Sequence, residues 1–293
     1  MRASDAALGG MGGGTVGGHA RGRAAEIAFT ALFAAIGAAT VLPFFWMLSV
    51  SFKTPMEIMS APEKLLPAGF YLGNFGTVLS PRYGFLRMYL NSAKITGINV
   101  AGSALTSMLA GYAFARLRFK GRDAIFLIYL ATLMIPPQIT MIPRYILFDR
   151  IGLIDTHLSL ILTGMFSVIG VFMMRQYFMQ LPGELGEAAA IDGAGMYRTF
   201  FQIYAPLAKP AIVTVIIINF TWQWNDYENP LIFLRRQSLF TIPLGLVAFV
   251  DANETHMELT AAAAVLGSFP MLALFVAAQK YFVNGLVAGA VKG

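Results

Sequence analysis

The sequence predicts an all-α membrane protein: six transmembrane helices, with a cytoplasmic two-helix loop between helices four and five. Three observations predict it. Apolar side chains make up 57% of the 293 residues and charged ones only 12%, where a soluble domain carries about 25% charge. Mean hydropathy is +0.66. The apolar residues fall into long runs instead of a scattered pattern. A soluble enzyme and a disordered chain are both excluded by this composition.

Residues 1–24 are read as a disordered, glycine-rich cytoplasmic tail. Eight glycines fall in the first 23 positions with almost no large apolar side chain, too little to offset chain entropy. The stretch lacks the Lys-Ser/Thr ending of a phosphate-binding loop, and no such motif occurs elsewhere. The transmembrane domain is placed over 25–293. Each span needs about 20 apolar helical residues, and six segments supply them. Ile27–Phe52 is uncharged and too long for a cleaved signal of about 7–15 apolar residues, so it is expected to stay as an anchor. Ile95–Ala115 follows, its helix starting near Tyr89, with Lys94 snorkelling outward. Ala124–Pro143 is interrupted by Pro136-Pro137, which predicts a kink. Leu158–Met174 is the fourth span, where Thr163 and Ser167 are expected to make helix–helix contacts. The fifth runs from after Pro210 to about Leu234 and includes Asp226 and Glu228; the sixth is Leu259–Gln279.

The net charge of +6 is assigned to loops, not to a nucleic-acid partner, because Lys and Arg gather on the cytoplasmic side of a bilayer. With a cytoplasmic N-terminus, the dense Arg116, Arg118, Lys120 and Arg122 cluster falls in a short inner loop. Both termini are therefore expected in the cytoplasm. There is no cysteine, which excludes disulfides and thiolate sites. His19, His157 and His256 lie far apart and form no metal-ligand spacing. No metal or cofactor is expected on this chain.

Most connections read as short loops. The exception is about 180–210, between spans four and five. An Ala-rich stretch after Pro182 is a strong helix former, and acidic residues in its first turns complement the macrodipole. Gly193 and Gly195 break it. Tyr197, Phe200, Phe201 and Tyr204 then recur at i, i+3, i+4 and i+7, an aromatic face on a second helix that ends at Pro206 and Pro210. Such a projecting stripe either meets a partner or packs the loop onto its own bundle.

These residues resemble a known family. Glu187-Ala-Ala-x-x-Asp192-Gly193-Ala194, with Phe200 or Phe201, Pro206-Leu207 and Pro210, looks like the cytoplasmic signature of binding-protein-dependent ABC importer permeases. Asn91-Ser92, Gly111-Tyr-Ala-Phe-Ala-Arg116-x-x-Phe119-x-Gly121, Trp224-Asn225-Asp226 and Gly285-Leu-x-x-Gly289-Ala-x-Lys292-Gly293 resemble the maltose-type carbohydrate branch, in its smaller membrane subunit. The resemblance covers about 25–293. It implies that the loop is a coupling loop docking into a cleft on a separate ATPase subunit. Glu187 and Asp192 would supply docking contacts, Gly193 the turn, and Ala188, Ala189 and Ala194 close approach. Phe200, Phe201 and Pro206 would hold the knob together, and none of these residues is catalytic. It also implies a second homologous permease subunit, two ATP-binding subunits that hold ATP and Mg, and an extracytoplasmic solute-binding protein. The setting would be the bacterial inner membrane.

In the fifth span Asn219, Trp222, Gln223 and Asp226 fall at i, i+3, i+4 and i+7, and so share a face. Polar groups inside a bilayer usually turn toward the bundle interior or a water-filled path, and amides, a carboxylate and an indole suit a sugar path. The competing reading is that they bond neighbouring helices, with Trp222 and Trp224 in an interfacial aromatic belt. Two further cargoes within the class are glycerol 3-phosphate and a polyol derivative. A secondary transporter coupled at Asp226 or Glu228 is a rival that leaves the loop unexplained. A membrane-embedded enzyme would need clustered acid–base or metal residues, and the scattered histidines argue against it.

Overall fold

The structure is a computed structural model that describes residues 16–61, 63–252 and 256–290, with side chains over 26–61, 63–250 and 256–279. The expected tail therefore lies outside the described residues up to position 15, as do the last three residues of the C-terminal motif. Among the described residues 79% are helical and none lies in a strand. Its helices, in chain order, are α1 (Val16–Ser51), α2 (Pro55–Ser60), α3 (Gly73–Val78), α4 (Phe85–Arg116), α5 (Arg122–Ala131), α6 (Pro137–Arg150), α7 (His157–Gly164), α8 (Val168–Gln180), α9 (Glu184–Ile191), α10 (Met196–Thr199), α11 (Ala205–Leu207), α12 (Lys209–Trp224), α13 (Glu228–Phe233), α14 (Ile242–Ala252) and α15 (Met257–Ala290).

Among the described residues four segments are long and apolar enough to cross a membrane: Glu26–Ser51, Phe85–Arg116, His157–Gln180 and Met257–Gln279. The total reaches six when each of two sharply bent pairs counts as one span. The first pair is Arg122–Met134 with Pro137–Arg150, bent by 97°. This is a near right angle where the sequence predicts a kink: Pro136 and Pro137 supply no amide hydrogens, and Pro136 disfavours helix at the preceding residue. The second is Met196–Leu207 with Lys209–Trp224, bent by 76°.

Helix α4 is the axis of the bundle and packs along α8 and against α12. Glycines make the approach close. A Cβ added at Gly111 would lie 2.5 Å from the Cβ of Met174 and 2.9 Å from the Arg175 nitrogen, and one at Gly170 would lie 2.3 Å from Ser107 Oγ. Small residues at such seams let helices approach where lipid offers no hydrophobic driving force. By contrast, α1 lies on α15, and its apolar window is wholly exposed in this chain.

Several expectations are corrected. The fourth span extends to Gln180 and is interrupted between α7 and α8, where the Ser167 hydroxyl accepts from Gly170 N at 3.0 Å. Thr163 bonds carbonyls of its own helix, so neither residue hydrogen-bonds another helix. The fifth span ends at Trp224, ten residues before the predicted Leu234, because α12 gives way to the separate α13. Trp224 is 3% exposed; its Nε1 donates to Gly267 O at 3.0 Å, so it belongs to the core and not to an interfacial belt. The connections around 52–84 and 235–256 are not short loops, since they contain α2, α3 and α14.

At the end opposite the 180–210 loop, two distant connections are clamped. Asp155, at φ 61°, accepts from the backbone nitrogens of Arg235 and Arg236 at 2.9 Å each and from Arg236 Nε at 2.5 Å. These donors pull its carboxyl from the ordinary 3.8 down to about 2, the two backbone amides contributing most.

Candidate functional site

Helix α9 starts with Glu184 and Glu187 in its first turn, where carboxylates favour the positive end of the helix dipole. It ends in a glycine stop. Gly193 takes φ 73°, its N–H donates to Ala190 O at 3.1 Å, and Ala194 N–H reaches back to Ala189 O at 2.8 Å. That six-to-one pairing satisfies carbonyls a helix end leaves free. No heavy atom lies within 4 Å of a Cβ added at Gly193, so backbone conformation demands glycine here, not crowding. Gly195 then starts the second arm with extended backbone.

That arm is not uniform α-helix. Between α10 and α11, Phe200–Tyr204 forms a π-helical turn, whose wider winding changes the expected aromatic stripe. Phe200 and Tyr204 turn inward, each 2% exposed, whereas Tyr197 (71%) and Phe201 (54%) stay outside. The sequence spacing put all four on one face; the inserted residue of the π-turn separates them. Phe200 thus holds the knob together as expected, but Phe201 is exposed, as is Pro206.

The inward pair wedges between α4 and α8. Tyr112 lies 5.0 Å from Phe200, 5.2 Å from Tyr204 and 5.8 Å from Phe178, centroid to centroid. Arg116, one turn beyond Tyr112, places its guanidinium 5.2 Å from the Tyr204 ring centroid. It also donates to the carbonyls of Phe178, at 2.5 Å, and Leu181, so it caps the end of α8. Tyr177 Oη donates to Leu207 O at 3.0 Å. The knob is therefore welded to the two longest-packed helices of the bundle. Sequence reasoning missed the roles of Tyr112, Arg116 and Phe178; the available signal was the i, i+4 spacing of Tyr112 and Arg116 at the foot of one span.

The outward surface of the knob carries Glu187, Ala188, Asp192 and Gly193 exposed and Ala194 half-buried, while Ala189 is buried beneath. Ile191 is 87% exposed beside them. The six residues singled out in the sequence therefore lie together around one turn, five of them reachable from outside.

The polar face of the fifth span is dispersed. Asn219 is buried and donates to Val215 O of its own helix at 2.8 Å. Trp222 is 70% exposed. Gln223 Oε1 accepts from Asn99 Nδ2 at 2.7 Å, and Asn99 also donates to Leu160 O at 3.2 Å, which ties α12 to α4 and α7. Asp226 lies beyond the end of α12, so the four do not share one helical face. Its carboxylate accepts from Asn229 N at 3.2 Å and Asn229 Nδ2 at 2.9 Å, at the start of α13. Among the described residues no three His, Cys, Asp or Glu side chains gather where they could hold a metal ion.

Residues 103–287, spanning from mid-α4 into α15, match the family model of the binding-protein-dependent transport system inner membrane component. The chain belongs to that family. This permease is 35% identical over 263 residues to the arabinooligosaccharides transport system permease protein AraQ of Halalkalibacterium halodurans, covering 89% of this chain and 94% of the relative. It is 35% identical over 267 residues to the melibiose/raffinose/stachyose import permease protein MelC of Bacillus subtilis, covering 90% and 96%. It is also 33% identical over 256 residues to the sn-glycerol-3-phosphate transport system permease protein UgpE of Rhizobium meliloti, covering 84% and 90%. A solved bacterial ABC transporter involved in the import of the acidic polysaccharide alginate shares the fold, with TM-score 0.80 at 23% identity over 89% of this chain and 97% of that one. The permease is thus an inner-membrane component of a binding-protein-dependent ABC importer, a transport subunit that works with an ATPase and a binding protein.

Proposed function

We propose that this permease moves a carbohydrate inward by ATP-driven alternating access, and that its α9–α10 knob is the site where a separate ATPase subunit docks. The observation that carries the reading is the weld: an exposed acidic turn on one side, and Phe200 and Tyr204 packed against Tyr112 and Phe178 on the other. A surface gripped there hands its motion to α4 and α8. Glu187 and Asp192 offer charge to a partner, and the small Ala188, Gly193 and Ala194 let it come close. The complete assembly holds a second homologous permease, two ATP-binding subunits that bind ATP and Mg, and an extracytoplasmic solute-binding protein. Both termini lie in the cytoplasm, on the knob side. The sugar names of AraQ and MelC favour a carbohydrate cargo.

Glu187→Lys and Gly193→Asp test the docking. The first reverses a charge on an exposed side chain. The second adds bulk at a backbone position that aspartate tolerates better than most residues. In a mild-detergent purification the wild-type permease is expected to bring down a nucleotide-binding subunit and a second membrane subunit. Both variants should insert normally yet lose the nucleotide-binding subunit or its coupling to uptake. Normal sugar uptake by either would overturn the assignment.

A further inference from the structure

The break in the fourth span contains no proline: α7 stops at Gly164, α8 restarts at Val168, and Met165, Phe166 and Ser167 lie between. Carbonyls at such a stop lose the amides that a continuous helix places four residues on, and lipid offers no replacement donors. Here two other helices supply them. Thr106 Oγ1 of α4 donates to Met165 O at 2.9 Å, and Gln223 Nε2 of α12 donates to Gly164 O at 3.5 Å. Asn99 Nδ2, also on α4, donates to Leu160 O at 3.2 Å and to Gln223 Oε1 at 2.7 Å. The fit needs glycine, because a Cβ added at Gly164 would lie 2.5 Å from Asn99 Cγ and 2.8 Å from Gln223 Oε1.

The joint is satisfied unevenly. Asn99 is fully buried, yet its Oδ1 has no partner, and an empty buried acceptor is costly. The Gln223 Nε2 donor, on an amide already touching that of Asn99, holds only the long bond to Gly164 O. A small twist of α12 against α4 gives Oδ1 this donor and releases Gly164 O, so the joint changes shape with no net loss of hydrogen bonds. Two discrete arrangements of this kind let a packed element switch where it cannot deform continuously. The helices involved lead to the knob: α4 carries Tyr112 and Arg116 against it, and α12 follows it directly. We propose that the α7–α8 break is a working hinge of the transport cycle, in which the Asn99 and Gln223 amides exchange partners as the knob moves α4 against α12. This rests on the alternating-access reading above and adds to it where the bundle bends and which side chains set the two positions.

The chain contains no cysteine, which allows a reversible lock. A Cβ at Gly102 would lie 3.2 Å from Met165 Cβ, close to the ~3.5 Å lower end of disulfide-bonded pairs. Gly102→Cys with Met165→Cys is placed in the complete importer, with its ATPase, partner permease and binding protein, in proteoliposomes. Uptake of a neutral oligosaccharide bound by that binding protein is then measured. The reduced protein should transport, the oxidised one should lose most of its uptake, and reductant should restore it. Full uptake after cross-linking shown complete by mass spectrometry overturns the hinge. Gln223→Met fills similar space without an amide and decides the question if the reduced cysteine pair is inactive. It should still co-purify with its nucleotide-binding subunit but lose about tenfold in uptake, the worth of one buried hydrogen bond. Wild-type uptake in Gln223→Met, or loss of the partner subunits together with uptake, overturns the exchange. A wild-type complex whose ATP hydrolysis drives no sugar uptake overturns the alternating-access reading instead.

Discussion

Gly193 and Gly195 stand two positions apart in one turn and do different work. Gly193 holds φ 73°, in the left-handed region, whereas Gly195 is extended at φ −69° and ψ 166°, open to any residue. Neither has a heavy atom within 4 Å of an added Cβ. Gly193→Ala should therefore cost the hairpin about 1 kcal/mol, and Gly195→Ala nothing comparable. Hydrogen exchange of the α9 and α10 amides would read the difference, and equal effects at both positions would refute it. The same contrast shows what the sequence makes legible: two glycines mark a turn, but only the folded backbone says which of them must be glycine. Likewise, four aromatics at helical spacing promised one stripe, and a single π-turn divided it.

The seam between α4 and α8 depends on absent side chains. At Gly111 a Cβ would meet both Met174 Cβ and the backbone of Arg175, and backbone cannot rotate out of the way. Gly111→Val should destabilise the permease by about 3 kcal/mol through overpacking and loosen the Tyr112–Phe178 contact one residue along; melting in detergent with tryptophan fluorescence would check it. Span positions were readable because hydropathy over about 20 residues is a local property. The breaks were less so. Pro136-Pro137 announced an interruption without its 97° angle, and α12 ends at Trp224, where Asn225 Nδ2 turns back to Thr221 O at 2.8 Å, inside a run that hydropathy reads as continuous. The residues of α14 are equally apolar, but only their place against α15 and α4 shows what they cover.

Across the whole molecule, Asp155 fastens segments 80 residues apart at the end far from the knob. Its carboxyl pKa, held down at about 2, means the clamp's contribution is complete above about pH 4 and is lost as pH falls through about 2. Acid destabilisation over that window should be shallower in Asp155→Asn, measured by thermal melts; an identical slope would remove Asp155 from the account. The knob end combines aromatic packing and Arg116 with an ion pair of its own, Asp123 of α5 with Arg175 of α8 at 3.2 Å. Mechanically, the knob and the feet of α4, α8 and α12 make one stiff lever. Helix α12 has 16 residues and is about 24 Å long, so a tilt of about 10° at its foot swings the far end by about 4 Å. The compliance needed to absorb that swing resides in joints already broken: the 76° bend before Lys209, Pro136-Pro137, the gap between α7 and α8, and the gap that holds Asp226.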